Sequence, residues 1–285
     1  QIGLITYMRT DSTRVCPVAV EQARGWITQE FGSDYVPGSP RLYGGGNQRA
    51  AQDAHEAIRP TDVTILPSEV ERYVEPDQAR LYELIWLRFV ASQMSPAVYD
   101  TTTADFELKG ADGKDYLYRA TGSIVKFDGF TRLYLEATEA GEKRRLDDLV
   151  PLPELEEGVD AELKQLEPKQ HFTQPPPRFS EASLVKELEK LGIGRPSTYA
   201  SIISVIVDRG YVDLEQRRFH PTDLGEVVSK LLVRVLPNIF DVDFTSRMEG
   251  ELDKVEDGDA DWRALLADFY PRFMKRIEEG EEQSD

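Results

Sequence analysis

The sequence predicts a multidomain α+β chain, mostly helical, and three observations lead there. The chain has 285 residues, 40% of them hydrophobic, enough for two or three cores at roughly 100–200 residues per domain. Apolar residues recur with helical spacing near the start and again over the last third. Between these lies a block rich in β-branched and aromatic residues, the composition of strands. The expected partition is residues 1–95, 96–170 and 171–285.

The first region opens on "GLITYMRTDS", where Ile5, Tyr7 and Arg9 alternate with Leu4, Thr6 and Met8. A period of two suits a strand and puts Tyr7 and Arg9 on one face. A helix is expected from Pro17, proline being pre-organised for the first helical position, to a stop at Gly32. Val20, Ala23, Ile27 and Phe31 would line its buried side. "LYGGGNQ" reads as a loop, and "RAAQDAHEAIRPT" as a short helix broken before Pro60. A longer helix is expected in "DQARLYELIWLRFVASQM", with Leu81, Leu84, Ile85, Leu87 and Phe89 as its apolar face.

In the middle region, "AVYDTTTADFEL" and "YLYRATGSIVKFDGFTRLYL" read as strands around the turn "GADGKD". "LPELEEG" leads out of them, and "HFTQPPPRFS" is an extended connection, since consecutive prolines hold an extended backbone. The third region begins with "SEASLVKELEKLG", a helix capped by Ser180 with Ser183 and Glu187 outward and Leu184, Leu188 and Leu191 inward. The turn "GIG" leads to a second helix in "RPSTYASIISVIVDRG". Two short strands follow in "YVDLEQRRFHPT", then a helix in "DLGEVVSKLLVRVL". Helix, turn, helix and hairpin is the winged-helix order, used for DNA contact and for protein scaffolding alike.

The charge balance argues at first against a polyanionic partner, for the net charge is −18. The distribution changes the argument. Residues 136–168 hold four Lys/Arg against eleven Asp/Glu and residues 241–285 six against fifteen, together −16. These stretches read as solvated surface. Residues 1–61 balance six against six and residues 171–220 carry seven basic against six acidic, so a polyanion would meet those segments. The longest apolar run, "SIISVIV", is far short of the ~20 residues that span a bilayer, and no membrane is expected. The single cysteine, Cys16, permits no internal disulfide or zinc cluster and fits a reducing cytoplasm. Because the chain opens on Gln1 inside an apparent structural element, it is expected to be part of something longer.

Four segments together, "GLITYMRTDS", "AHEAIRPT", "KELEKLGIGRPSTYASII" with "DRGYV", and "FTSRMEGELDKV", resemble the central part of the bacterial type IA DNA topoisomerases. The resemblance runs the length of the chain in the expected order, and Met8 before Arg9 favours topoisomerase I over topoisomerase III and reverse gyrase. It implies a toroid, to which the three regions would contribute the tyrosine-bearing domain, part of a β-rich arch and part of a winged-helix-like DNA-binding base. It further implies that a tyrosine attacks one DNA strand to leave a 5′-phosphotyrosine bond, that another strand passes, and that the break reseals without ATP. The tyrosine matching the motif is Tyr7.

A phenol with an ordinary pKa near ~10 is a poor nucleophile at neutral pH, so it needs proton removal or positive charge at the phosphate. Arg9, on the same strand face, would fork onto the phosphate oxygens. His55 matches a family histidine near that phosphate and would donate a hydrogen bond or charge. Arg59 would either face DNA or tie its segment to Asp53 or Glu56, the second being preferred. Arg195, Ser197 and Thr198 gather at a helix N-terminus that either attracts phosphate or is simply capped by the hydroxyls. Arg209 matches a DNA-contacting arginine of the family; otherwise it complements the helix C-terminus.

No metal ligands are expected here. The resemblance implies that Mg²⁺ is bound by an N-terminal Toprim domain of the same parent chain, which precedes the tyrosine motif, and that the C-terminal zinc ribbons also lie outside. The implied partners are single-stranded DNA and negatively supercoiled duplex, in the cytoplasm at the nucleoid, and these residues alone would not relax supercoils. The competing reading is an inactive winged-helix module that binds DNA or protein.

Overall fold

The computed structural model describes residues 3–8, 10, 12–43, 56–134 and 150–282, with side chains to residue 280. The chain divides into two compact units, residues 1–176 and 177–285. It is a mixed α+β architecture of helices and two small antiparallel sheets.

The first unit is organised by two helices. Helix α1, Pro17–Phe31, starts with proline as expected and stops at Gly32, whose φ of 96° a side chain would oppose. Ala19, Val20, Ala23 and Ile27 are buried, while Phe31 is half-buried. After the single turn α2, Pro67–Val70, helix α3 spans Pro76–Ser92 and opens with a capping box between Glu75 and Gln78.

The inward face of α3 differs from the sequence expectation. Leu81 and Leu84 are half exposed, and Tyr82, Trp86, Phe89 and Val90 fill the core with Met94. The aromatic residues can go inside because their polar tips are satisfied there. Trp86 Nε1 donates to Val63 O at 2.9 Å and Tyr82 Oη to Ile65 O at 2.8 Å. Burial pushes the Tyr82 phenol up to about 12. Trp86 also meets Trp26 of α1 edge-on, 4.8 Å between centroids.

Strands β1, Val98–Lys109, and β2, Asp115–Phe127, form one antiparallel hairpin in the register Tyr99↔Val125 to Lys109↔Asp115. Arg119 forks onto Asp105 across the pair at 2.7 and 2.8 Å. The hairpin root is tied to the helical core: Ser95 N–H donates to Tyr35 O, Phe130 N–H to Ser95 O, and the Tyr35 hydroxyl to Asp128 at 2.6 Å. That bond to the carboxylate, together with partial desolvation, raises the Tyr35 pKa.

The second unit presents helix, turn, helix, hairpin and helix in the expected order. Helix α4, Glu181–Lys190, is capped by Ser180, whose hydroxyl accepts from Ser183 N–H at 3.1 Å. Helix α5, Tyr199–Asp208, follows. Strands β3, Val212–Glu215, and β4, Arg218–Pro221, are joined by Gln216 and Arg217, both at positive φ (48° and 63°). Two such residues make the turn type whose twist matches a hairpin. Helix α6, Asp223–Val235, is capped by Thr222. Helices α7, Val242–Glu256, and α8, Trp262–Glu282, meet through Phe244, Phe269 and Phe273. Among the described residues no helix is long and apolar enough to cross a membrane.

Candidate nucleic-acid interface

The tyrosine segment is held by hydrogen bonds to the chain around Arg59. Thr6 N–H donates to Arg59 O at 2.9 Å and Thr61 N–H to Leu4 O at 3.0 Å, on either side of the bridge Ile5↔Pro60. The Thr6 hydroxyl donates to Ala57 O at 2.8 Å and accepts from Arg59 N–H at 3.0 Å.

Over the described residues 4–8, the expected strand is therefore one isolated bridge. Its partner position is Pro60, which has no N–H with which to continue a ladder. The result is an anchored stem and an exposed tip: Tyr7 is 66% and Met8 74% exposed. Arg9 and His55, both expected at the cleavage site, lie outside the described residues, as does Asp53; Glu56–Thr61, the described end of the helix expected there, is not helical.

Arg59 takes the structural role preferred for it. Its side chain is nearly buried, and Nε and Nη2 fork onto Glu56 at 3.1 and 3.0 Å while Nη1 donates to Pro60 O at 2.9 Å. Glu56 Oε1 also accepts from Cys16 N–H at 2.5 Å, so the start of α1 is drawn into the same knot. Cys16 stands at the N-cap without a side-chain cap bond, and this carboxylate serves its backbone instead. Burial pulls the Glu56 carboxyl upward, but the Arg59 fork and the Cys16 N–H outweigh it and hold the group below the usual carboxylate range.

In the second unit the turn before α5 depends on two glycines at positive φ, Gly192 (69°) and Gly194 (79°). Thr198 does not cap α5: its hydroxyl accepts from Arg195 N–H at 2.9 Å and donates to Arg195 O at 3.0 Å, closing the turn. No side chain caps α5, and Ser197 and Thr198 are exposed at its N-terminus.

Arg195 meets a competing engagement that the sequence reading did not foresee. Its Nη2 contacts Asp253 at 2.8 Å and Glu249 at 3.3 Å, both on α7. Desolvation works against its charge, and these two carboxylates overcome that and raise its pKa. The missed signal is the pair of acids four apart in "MEGELDKV", which one helix face presents together. Arg209 ends α5, exposed, with no ion pair to a described residue.

Among the described residues no group of three or more His, Cys, Asp or Glu side chains is arranged to hold a metal ion. The described side chains therefore offer no site that fits Mg²⁺.

The comparisons with known proteins agree in direction. The pattern of the DNA topoisomerase family matches residues 1–267. DNA topoisomerase 1 of Pseudomonas aeruginosa is 48% identical over 99% of this chain and 31% of its own length. The Vibrio cholerae protein of the same name is 48% identical over 99% of this chain and 30% of its own length. The chain thus spans about a third of these relatives. The structure of full-length topoisomerase I from Thermotoga maritima superposes with a TM-score of 0.74 at 40% identity, over 96% of this chain and 42% of that one. The chain belongs to the bacterial type IA DNA topoisomerases.

Proposed function

We propose that this chain is the tyrosine-bearing and strand-binding core of a type IA DNA topoisomerase, with Tyr7 as nucleophile. The observation that carries this reading is the contrast within the first unit: Tyr7 is two-thirds exposed while the residues on its N-terminal side are hydrogen-bonded to the chain around the largely buried Glu56–Arg59 pair. A nucleophile must reach a bulky polyanion from a fixed base, and such an anchored tip supports that use.

In the proposed reaction the Tyr7 phenol loses its proton and its oxygen attacks phosphorus. The bond from phosphorus to the 3′ oxygen breaks, that oxygen takes up a proton, and a 5′-phosphotyrosine remains. Attack by the 3′ hydroxyl on the same phosphorus reverses every step, so the bond energy is conserved and no ATP is used. Arg9 and His55 would supply donors to the phosphate oxygens.

Residues 1–95, 96–170 and 171–285 would serve as tyrosine domain, arch segment and winged-helix-like base. In the base, the uncapped N-terminus of α5 with Ser197, Thr198 and Arg209 would track the single-stranded DNA backbone. Arg195 would fix the turn through α7. Mg²⁺ would be held by a Toprim domain outside these 285 residues, and relaxation of negatively supercoiled DNA at the nucleoid would require that domain.

The test is covalent. Mixed with labelled single-stranded oligonucleotide, Mg²⁺ and the acidic domain, the unmodified chain should give an SDS-resistant adduct mapping to Tyr7. Tyr7→Phe should abolish the adduct while leaving DNA affinity within about twofold, since one hydroxyl contributes little to backbone binding. An adduct that survives in Tyr7→Phe sinks the assignment. No adduct with either protein would leave a strand-binding scaffold.

A further inference from the structure

A cleft of about 370 Å³ lies in the first unit beside the tyrosine segment and uses none of the side chains assigned above. Arg41, Arg88, Tyr43, Phe130 and Tyr134 give it its chemistry, and no Asp or Glu is among its described lining residues, in a chain carrying 52 of them. The groups are pre-set. The Arg88 guanidinium sits over the Tyr134 ring, 5.1 Å from its centroid. The Tyr43 hydroxyl donates to Ser92 O at 2.9 Å, and the buried Gln93 amide donates to Arg41 O at 3.1 Å.

Ala57 joins this cleft to the tyrosine. It forms part of the wall, its N–H donates to Arg14 O at 2.7 Å, and its carbonyl accepts the hydroxyl of Thr6, the residue before Tyr7. The wall is one hydrogen bond from the segment that carries the nucleophile.

Flat aromatic walls with guanidinium groups, and no acid among the described lining residues, suit one class of ligand above others, an unstacked nucleotide whose base lies on a ring and whose phosphate meets an arginine. The volume falls in the range of small-ligand clefts. We propose that this cleft is a nucleotide subsite of the tyrosine-bearing unit, holding the first or second nucleotide on the 3′ side of the phosphotyrosine bond. The proposal rests on the reading of Tyr7 given above. Once the break forms, the strand that begins with the 5′ phosphate is joined to the tyrosine segment by a single ester, about which it would rotate without a further contact on this unit. A second contact on the same unit keeps that end aligned for the returning 3′ hydroxyl by restricting its rotation.

Two measurements on the full polypeptide, Toprim domain included, test this. In the first, Arg41→Gln and Tyr134→Leu, checked for folding by circular dichroism, are titrated against a fluorescent 5′-phosphorylated oligothymidylate and assayed for resealing. Each should weaken binding about tenfold and slow resealing, while the Tyr7 adduct still forms. In the second, the unmodified protein is irradiated with oligonucleotides carrying 5-iododeoxyuridine at successive positions 3′ of the break. Cross-links from the first or second position should map to the Tyr43 or Tyr134 peptides, an outcome independent of how the variants fold. Unchanged affinity and resealing in folded variants, with cross-links elsewhere and the Tyr7 adduct intact, would overturn the subsite and leave the cleavage reading standing. Cleft cross-links from a protein that forms no Tyr7 adduct would overturn both, making the cleft a general strand-binding groove.

Discussion

The helices of residues 181–282 segregate apolar from polar residues along their faces more sharply than those of residues 17–92, yet they bury those faces less completely. In the first unit Ala23, Ile27, Val90 and Met94 lose all solvent contact, and the aromatic Tyr82 and Trp86 close the same core. In the second, no described side chain of α4, α5, α6 or α7 is fully buried, and α6 shows Leu224, Val227 and Leu231 to solvent along one stripe. The difference bears on how each unit does its work. As the proposed nucleophile Tyr7 would need to be aimed, and the first unit has a dense core against which Leu4 and Ile5 of its segment pack. The second is held by caps, glycine turns and the long-range Arg195 clasp on α7, around a smaller buried set that includes Phe219 and Leu236.

Trp86→Ala breaks the comparison most severely. It removes the indole from Trp26 and strips Val63 O of its donor. The expected cost is about 3–5 kcal/mol, read as a fall in the urea midpoint of the first unit. A loss below about 1 kcal/mol would mean that this core is no better packed than the second unit.

Glu56→Gln comes next. It leaves the nearly buried Arg59 guanidinium without a counter-charge, at an expected cost of roughly 2–3 kcal/mol after discounting for the partial exposure of the pair. The pH dependence carries the sharper signature. Because the folded carboxyl is held below its usual range, the folded state binds its proton less readily than the unfolded chain. Its contribution is therefore fully present above the unfolded pKa of about 4.3 and is lost as pH falls through the lower folded value. The stability gap between native and Glu56→Gln protein should be flat from neutrality to about pH 5 and close below it. A gap that does not change with pH would mean that charge is not what Glu56 contributes.

The same contrast explains what the sequence made legible. Helix α1 could be read because a proline marks its start and a glycine its end, and α3 because apolar residues recur through its length. The face of α3 was misread because counting aliphatics favours Leu81 and Leu84. What sends Tyr82 and Trp86 inward is a pair of carbonyl acceptors, Ile65 O and Val63 O, that no local pattern reveals. The alternation around Tyr7 suggested a strand, and its partner, a proline more than fifty residues away, limits it to one bridge. Tyr7 was singled out through family resemblance alone, since an isolated tyrosine carries no signal of its own. The Glu56–Arg59 pair was legible because it is three residues apart. The Arg195 clasp joins residues more than fifty apart and was not. Local chemistry was readable, and long-range satisfaction of polar groups was not.

The smallest expected effect sharpens the comparison from the other side. Val227 is 63% exposed on α6. Serine and valine differ little in helix propensity, and little buried area is lost, so Val227→Ser should change stability by no more than about 0.5 kcal/mol. Hydrophobic stabilisation follows area removed from water, and at 25 cal/mol per Å² a side chain left mostly in water has little to lose. A measured loss near 2 kcal/mol would require that the Leu224–Val227–Leu231 stripe be covered in solution. The second unit would then owe its stability to a packed face like that of the first, and its openness would no longer support the proposed use of the exposed Ser197, Thr198 and Arg209.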